Sequence, residues 1–590
     1  MPEAPNTDRW TPERRSALVL RIIKGETTAD EASRTHGLSA SHIHEWQRRF
    51  LQGGERALRR APGRRRFRVS VLLIVTLWLL LRAAYFNGYY VEDAPGYVTD
   101  AIYFALGDVR ARDYVTGLNV GTYLPVALPL RLFGKAELAL ALWPLFSSLL
   151  GLVSIIGIAR ILFGRSFGLL AGMLYATYPG DVFFSTVVMP DAIQAGWLTL
   201  SIFLVVCAWS GSAGRAHLTL AAAGAAMGFC HLIRANGPIL LPIGVIAATV
   251  LPRMWKGQTW RSALVSGLAY LTGWLAIQVL EGVVYFRATG DFLHRFHVVE
   301  KHYGALSAIA QWGLNTDPRT IPFSIFPPLL WLFTGEWGEI NHDQAYHGFI
   351  FVLALTVMAV AGVLALRVKG LVGPAGRAGL LLAAAWFSWP LLYHQFGSQS
   401  LTAFVPMHRL SRHLVVYAPG AIFATAAGAF VIGRFAAKWR AQAVRPILAV
   451  LALGVLSGHL YFNWRAEQVA FRSFHQIKGT YQRIRYSLPP RVRMIAGDPG
   501  DLGFFDFWLN PLGFERVRLV PFSNFASCNQ IVNGVVLTYS NPGWYGLAAP
   551  VIRETVARLP CLVTPPPDWR LLYDGFPEKV YVVQPAHDAR

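Results

Sequence analysis

Charge is scarce in this chain. Of its 590 residues only 15% are Asp, Glu, Lys or Arg, and 54% are apolar; an ordinary soluble protein carries about 25% charged residues. That much apolar surface cannot be hidden in soluble cores. A string of soluble domains and a disordered chain are therefore excluded, and a polytopic membrane protein is implied. Cysteine is nearly absent, with four residues, no CxxC and no Cys/His zinc spacing, so a disulfide scaffold is excluded too. Cys207 and Cys230 lie in apolar segments and read as inert thiols. Cys528 and Cys561 lie in a polar C-terminal region and are a disulfide candidate if it faces an oxidising compartment. No Gly-rich phosphate loop, nucleophile elbow or internal repeat occurs. The first apolar run follows about 68 polar residues, so no cleavable signal peptide is expected.

The charge that is present is mostly positive, with a net of +21. Residues 1–68 hold 15 Lys and Arg against 8 Asp and Glu, a net of +7, most of it between Arg48 and Arg68. Apolar runs long enough to span a bilayer are read near 69–86, 136–159, 166–183, 192–209, 216–232, 236–251, 262–286, 346–366, 378–396, 413–433 and 446–464, eleven in all. With the N-terminus inside, five short inner loops hold Arg160 and Arg165; Arg215; Arg253, Lys256 and Arg261; Arg367, Lys369 and Arg377; and Arg434, Lys438, Arg440 and Arg445, with no acid in any of them. That is the pattern of the positive-inside rule. It places loops 87–135, 287–345 and 397–412 and residues 465–590 outside, in a bacterial-type inner membrane.

Residues 1–55 read as a cytoplasmic helical unit, and 56–68 as a basic linker able to touch anionic lipid. Thr11-Pro12 is an N-cap with Pro at the first helical position, and the helix is expected to run to Lys24 and stop at Gly25. A second helix should end at His36, turn at Gly37, and lead into a third capped by Ser39. Two short helices about a glycine turn form the helix-turn-helix pattern. Together with the "W-x-R-R-F" ending at Phe50, the segment resembles the helix-turn-helix of transposase-like proteins. That resemblance implies DNA contacts from Ser41, His42, Gln47 and Arg48.

The fold class is thus a polytopic α-helical membrane protein, N-in and C-out. The membrane domain is placed at 69–465. An extracytoplasmic α/β domain is placed at 466–590, where short strands ("VRMIAG", "VVLTY", "KVYVV") alternate with turn signals.

The acids and histidines collect on the expected outer face. Glu92 and Asp93 follow the first span, with Tyr97 and Ala101 at intervals of four. "YPGDVFFSTVVMPDA" ends in Asp191, "GFCHLIRANGPILLP" carries Arg234, and "HRLSRHLVVYAPG" carries His408, Arg409 and Arg412. In that order these segments resemble the motifs of the GT-C glycosyltransferases, in the branch of the protein O-mannosyltransferases and the lipid A aminoarabinose transferase. The chain departs from that branch in two places. The branch's Asp-Glu pair is Glu92-Asp93 followed by Ala94 here, and "GTYLPVALP" stands where Lys-Pro-Pro is usual.

The resemblance implies transfer of a sugar from a polyprenyl-phosphate donor to a lipid, glycan or protein acceptor by inverting displacement. Such a reaction needs a carboxylate to take the acceptor's proton and fixed positive charge on the departing phosphate. Asp93 is the expected base, with Glu92 beside it and its pKa raised by desolvation near hydrocarbon. Asp191 would orient the acceptor or first loop. Tyr97, Arg234, His408, Arg409 and Arg412 are the expected substrate contacts. Against this, acids at a span end solvate loops, interfacial arginines snorkel, and His231, His408 and His413 read more readily as structural. Glu281 is an intramembrane acid near the outer end of its span. Lys301 and His302 stand in the next loop, which further on holds Glu336, Glu339, His342, Asp343 and His347. The two histidines there are five apart rather than four, so no helical metal pair is expected, and no cofactor is indicated. Two other functions compete. One is a membrane-tethered DNA-binding regulator, for which eleven spans are more than a tether needs. The other is a transporter, which the lack of inverted repeats disfavours.

Overall fold

The computed structural model describes residues 10–59, 63–89, 93–108, 111–211, 215–303, 345–398, 411–438, 444–470 and 476–488. In the last hundred it describes 492, 494–498, 502, 507, 517–532, 534–539, 550–574 and 578–583. The chain divides into two units, Met1–Leu73 and Ile74–Arg590.

The first unit holds three helices, α1 (Pro12–Ile23), α2 (Ala29–His36) and α3 (Ala40–Arg59), and the start of a fourth, Gly63–Ala84. Its ends are set locally. Thr11 caps α1, its Oγ1 accepting from Arg14 N at 3.4 Å, with Pro12 at the first helical position. Thr28 does the same for α2, accepting from Glu31 N at 3.2 Å. Gly37 ends α2 at φ +63°, a left-handed conformation that glycine takes without steric cost. Ser39 opens α3 by accepting from His42 N at 3.3 Å. The turn brings Leu18, Ala32, Leu38 and Ile43 into one core, flanked by Trp10, Ile22 and Trp46. Each such aliphatic side chain contributes about 1.5–3 kcal/mol on burial.

The second unit is built on long apolar helices. Eight helices among the described residues are long and apolar enough to cross a membrane: Arg65–Ala84, Glu137–Phe163, Pro190–Ser210, Ala216–Ile233, Gly237–Lys256, Trp260–Thr289, Ile350–Arg367 and Leu414–Lys438. The first lies in α4 (Gly63–Ala84). After it come α5 (Ala94–Ala105), α6 (Val120–Phe133), α7 (Glu137–Phe163), α8 (Arg165–Thr177), α9 (Pro179–Phe184), α10 (Pro190–Ser210), α11 (Ala216–Ile233), α12 (Gly237–Lys256), α13 (Trp260–Thr289) and α14 (His294–Tyr303). The other three of the eleven expected spans are helical as well but fall outside the eight. The run 166–183 breaks at Tyr178-Pro179 into α8 and α9. The helix Pro374–Phe396 carries Arg377 and His394 among its apolar residues, and in Val444–Ala470 the described side chains run unbroken only over residues 450–465.

Helix Leu414–Lys438 is the centre of the bundle: 83% of its most apolar stretch is buried, against 22% for Arg65–Ala84, whose Leu79 and Leu80 stay exposed. It packs on α7, α8 and α10 and on helices Ala345–Arg367 and Pro374–Phe396. In lipid, helices associate through small residues that let backbones approach. On α11, Gly224 lies so close to the Tyr270 carbonyl that a Cβ would overlap it, and Gly273 of α13 meets the Ala221 carbonyl in the same way.

The expected α/β domain is present. Its strands are β1 (Met494–Gly497), β2 (Arg518–Pro521), β3 (Gly534–Tyr539), β4 (Arg570–Asp574) and β5 (Glu578–Val583), in the order β2-β1-β3-β5-β4. β1 is parallel to β2 and β3; β5 is antiparallel to β3 and β4. Val520, Phe522, Phe525, Val536, Leu559 and Trp569 form its core, and Cys528 and Cys561 are joined by a disulfide in it.

Candidate active site

α5 starts just after the first span, where Ala94 and Pro95 open it and Asp93 stands at its N-cap. Backbone N–H groups at a helix N-terminus favour a negative charge there. Arg412 lies in the short 3-10 turn Ser411–His413 that leads into Leu414–Lys438. Its Nη2 donates to Asp93 Oδ2 at 2.7 Å across 319 residues of sequence. The Asp93 side chain is 44% exposed, so it is a paired, half-open carboxylate rather than the desolvated one expected from the sequence.

One turn further along α5, Tyr97 is buried, and its hydroxyl accepts from Asn119 Nδ2 at 2.9 Å. Burial, and then the charge of Asp93, push this hydroxyl well above its ordinary range, so it stays protonated. The guanidinium groups of Arg234 and Arg412 act on it in the opposite sense.

The second half of the site gathers around the turn between α11 and α12. Arg234 takes an extended conformation there, at the C-cap of α11 (φ −153°). Its Nη1 donates to Asp191 Oδ1 at 2.7 Å, and its Nη2 donates to His413 Nε2. Asp191 sits in the first turn of α10, fully buried. A guanidinium only donates, so His413 Nε2 accepts and the ring is neutral, with its proton on Nδ1. His413 follows Arg412 in sequence, and a continuous polar line therefore runs Asp93, Arg412, His413, Arg234, Asp191. The surrounding segments are fixed to the same turn. Thr122 Oγ1 donates to the Ile233 carbonyl at 2.8 Å, and Gln194 Nε2 donates to Asn236 Oδ1 at 3.0 Å.

Of the residues expected at a site, Asp93, Tyr97, Asp191, Arg234 and Arg412 are brought together. Glu92, His408 and Arg409 lie outside the described residues, as do Glu336, Glu339, His342, Asp343 and the side chain of His347. Glu281 is answered by Arg295, whose Nε donates to its Oε1 at 2.7 Å. His231 pairs with Gln278 through Nδ1. Lys301 and His302 are exposed on α14. Among the described residues no three His, Cys, Asp or Glu side chains are grouped as a metal would need. His413, set aside as structural from the sequence, is the residue that joins the two arginines.

Several polar residues were missed altogether. Arg82 and Asp181 form a fully buried pair, and the lone arginine in the first apolar run was the signal for it. Glu137 accepts from Tyr89 N at 3.0 Å and from Lys478, which lies in the helix Gln476–Ser487 beyond the last expected span. Asp100 of α5 is buried, accepting from Arg112 Nε at 3.1 Å and from Tyr114 Oη at 2.5 Å. Burial raises its pKa above the ordinary carboxylate range, against the opposing effects of Tyr114 and Arg112.

In the first unit, Ser41 and Arg48 are exposed on α3, and so is His44, which lies on the same helical face. His42 and Gln47 are half-buried, and His42 Nδ1 lies 3.0 Å from Ser39 Oγ.

Comparison with known proteins places these features. Residues 121–286 match the family model of dolichyl-phosphate-mannose-protein mannosyltransferase, and residues 14–66 match that of a helix-turn-helix domain. A search of the curated proteins by sequence finds no match. Among solved structures, the chain is similar to ArnT of Cupriavidus metallidurans bound to undecaprenyl phosphate. There the TM-score is 0.53 and the identity 17%, over 87% of this chain and 97% of that one. It is also similar to the Archaeoglobus fulgidus oligosaccharyltransferase in complex with zinc and sulfate, with a TM-score of 0.50 and 13% identity over 87% of this chain and 73% of that one. The chain has a GT-C fold, with an N-terminal helix-turn-helix and a C-terminal sheet domain.

Proposed function

We propose that this protein is a membrane glycosyltransferase that moves a sugar from a polyprenyl-phosphate donor to an acceptor on the outer side of the membrane, with Asp93 as general base. The observation that carries this reading is the pairing of Asp93 with Arg412 at 2.7 Å, in line with His413, Arg234 and Asp191. Arg412 and Arg234 supply fixed positive charge, and guanidinium groups fit phosphate oxygens. The Cupriavidus ArnT structure has undecaprenyl phosphate bound, which supports this class of carrier.

In this scheme the acceptor's hydroxyl attacks the anomeric carbon, and the bond from that carbon to the phosphate oxygen breaks. The acceptor's proton passes to Asp93, and polyprenyl phosphate leaves with the electron pair, held by the arginines. Arg412 serves both ends. Bound to Asp93 it keeps the resting site neutral, and turning to the incoming phosphate it releases the carboxylate to act as base. His413, held neutral, keeps Arg234 aimed without adding a charge.

The test is release of polyprenyl phosphate from a panel of polyprenyl-phosphate sugars, with membrane lipids, glycans and peptides as acceptors. Loss of a positioned base lowers rates about 10²- to 10⁴-fold. Asp93→Asn should show that loss with unchanged membrane insertion. Full activity in Asp93→Asn would remove Asp93 as the base, and release from no donor by the wild type would remove the reading itself.

A second reading rests on a separate observation, the helix-turn-helix match over residues 14–66 together with exposed Ser41 and Arg48 on α3. It is a membrane-held DNA-binding regulator. Full-length protein in nanodiscs, titrated with duplex DNA at rising salt, decides it. Phosphate contacts give a steep decrease of affinity with salt that Arg48→Ala makes shallower, and binding without that decrease excludes it.

A further inference from the structure

The buried wall of the site holds more acceptor oxygens than the described residues satisfy. Asp191 and Gln194 are three residues apart on α10, and side chains at that spacing stand on one face. Both are fully buried. Asp191 uses Oδ1 for Arg234, and its Oδ2 has no hydrogen-bond partner among the described residues. Gln194 directs Nε2 to the Cys230 carbonyl at 3.1 Å and to Asn236 Oδ1 at 3.0 Å. A carbonyl only accepts, so this contact fixes which end of the amide is nitrogen. Gln194 Oε1 is then the oxygen left over, and it too has no partner among the described residues.

Buried polar atoms are nearly always paired, and leaving one unmade costs about 1–3 kcal/mol. Two on adjacent turns of one helix face, beside the Arg234 turn, describe a place kept for a ligand that donates. The charge around it selects the donor. Asp191 is already neutralised by Arg234, so a cation gains little there, and a neutral hydroxyl pair matches both oxygens. Side chains one turn apart have Cβ atoms about 5–6 Å apart, and neighbouring hydroxyls of one sugar ring, each donating over about 2.7–2.8 Å, reach acceptors on both.

We infer that Asp191 Oδ2 and Gln194 Oε1 read two hydroxyl groups of a sugar ring. Gln194 is then a specificity-determining residue that no motif in the chain marks. This inference rests on the glycosyltransferase reading. The hydroxyls belong either to the transferred sugar or to a glycan acceptor, and the experiment separates the two.

Purified full-length protein is assayed with singly deoxygenated polyprenyl-phosphate sugars against one acceptor, and then with singly deoxygenated acceptors against one donor. Two positions in one of the two series should each lower kcat/KM about 10- to 10²-fold in the wild type, since the analogue leaves a buried acceptor unpaired. Gln194→Met should erase the discrimination at one of these positions and leave it intact at the other. Gln194→Asn keeps both the donor and the acceptor end of the amide and should retain part of it; this variant also serves where Gln194→Met fails to fold. A loss confined to the donor series assigns the transferred sugar, and a loss confined to the acceptor series assigns the glycan. Discrimination unchanged in Gln194→Met, or no sensitivity to deoxygenation in either series, overturns the inference while leaving catalysis by Asp93 in place. Absence of transfer with every donor overturns the glycosyltransferase reading instead, and the inference with it.

Discussion

Two of the arginine–aspartate pairs in the membrane unit, Arg82–Asp181 and Arg234–Asp191, differ in what is left over. Around Arg82 and Asp181 everything is used. Arg82 donates to Ser185 Oγ at 3.1 Å, to the Trp78 and Ala176 carbonyls at 3.1 and 2.9 Å, and to Asp181. Asp181 also accepts from Ser148 Oγ at 2.5 Å and from Tyr175 Oη at 3.2 Å. Both side chains are almost wholly buried, at 1% and 2% exposure. Arg234 and Asp191 are arranged otherwise. The arginine is 17% exposed and shared with a neutral histidine, and the aspartate keeps one oxygen unpaired among the described residues. The residue types are the same and the burial is similar. Saturation, more than charge or depth, separates a pair whose polar atoms are all engaged from one with an oxygen to spare.

That contrast breaks most visibly at Arg82. Arg82→Met strands the Asp181 carboxylate in the bundle, and breaking a buried pair in this way costs about 3–5 kcal/mol. The expected result is aggregated protein on size exclusion in detergent. Adding Asp181→Leu should restore a monodisperse protein with normal transfer activity, because replacing both partners by apolar groups is often close to neutral. A double variant that folds but does not catalyse would show that the first pair too belongs to the site.

Next in size is Arg234→Lys. A lysine cannot hold Asp191 and His413 together in a fixed fork. Activity should decrease about 10- to 100-fold while the melting temperature moves by only a few degrees; a large loss of stability instead would make the second pair structural like the first.

The smallest effect concerns Asp100, a buried carboxylate of the first loop that faces Arg112, Tyr114 and Asp108. Its folded-state pKa is raised by burial. Its contribution to stability is therefore complete below the unfolded value of about 3.9 and is lost as pH rises through the folded value. Melting curves of wild type and Asp100→Asn should coincide near pH 4 and separate in favour of the asparagine as pH increases. A gap that widens in the opposite direction would reverse the assigned sign.

How much of this was readable in the sequence follows from how far apart the interacting residues lie. The first unit was legible almost residue by residue. Thr11, Gly25, Gly37 and Ser39 act on backbone within four positions, and turn and cap chemistry is local. The membrane character and the sheet domain were legible too, since both depend on composition and short-range alternation. One span was less so, because the break at Tyr178-Pro179 interrupts a run that looks continuous by hydropathy. Five of the residues brought together were picked out by likeness of motif, but not which of them pair with which. Nothing near Asp93 marks Arg412, and nothing at His413 shows that Arg234 donates to it. Gln194 was within reach, three positions after an aspartate already chosen, yet a glutamine in an apolar helix carries no signal until its unpaired oxygen is seen.

Glu137 has a consequence for the order in which the protein is made. It opens α7 and holds the Tyr89 amide of the first loop, and its other partner, Lys478, follows 341 residues later. At about 5–20 residues per second of synthesis, the ribosome needs roughly 17–70 s to supply that lysine. Throughout this interval the nascent chain carries an acidic group at the start of α7 with no counter-ion from its C-terminal part. Arg412 reaches Asp93 on a similar delay. The loop that bears Asp93 is thus held by groups that are supplied only once residues 412 and 478 have been made, long after the loop itself has emerged.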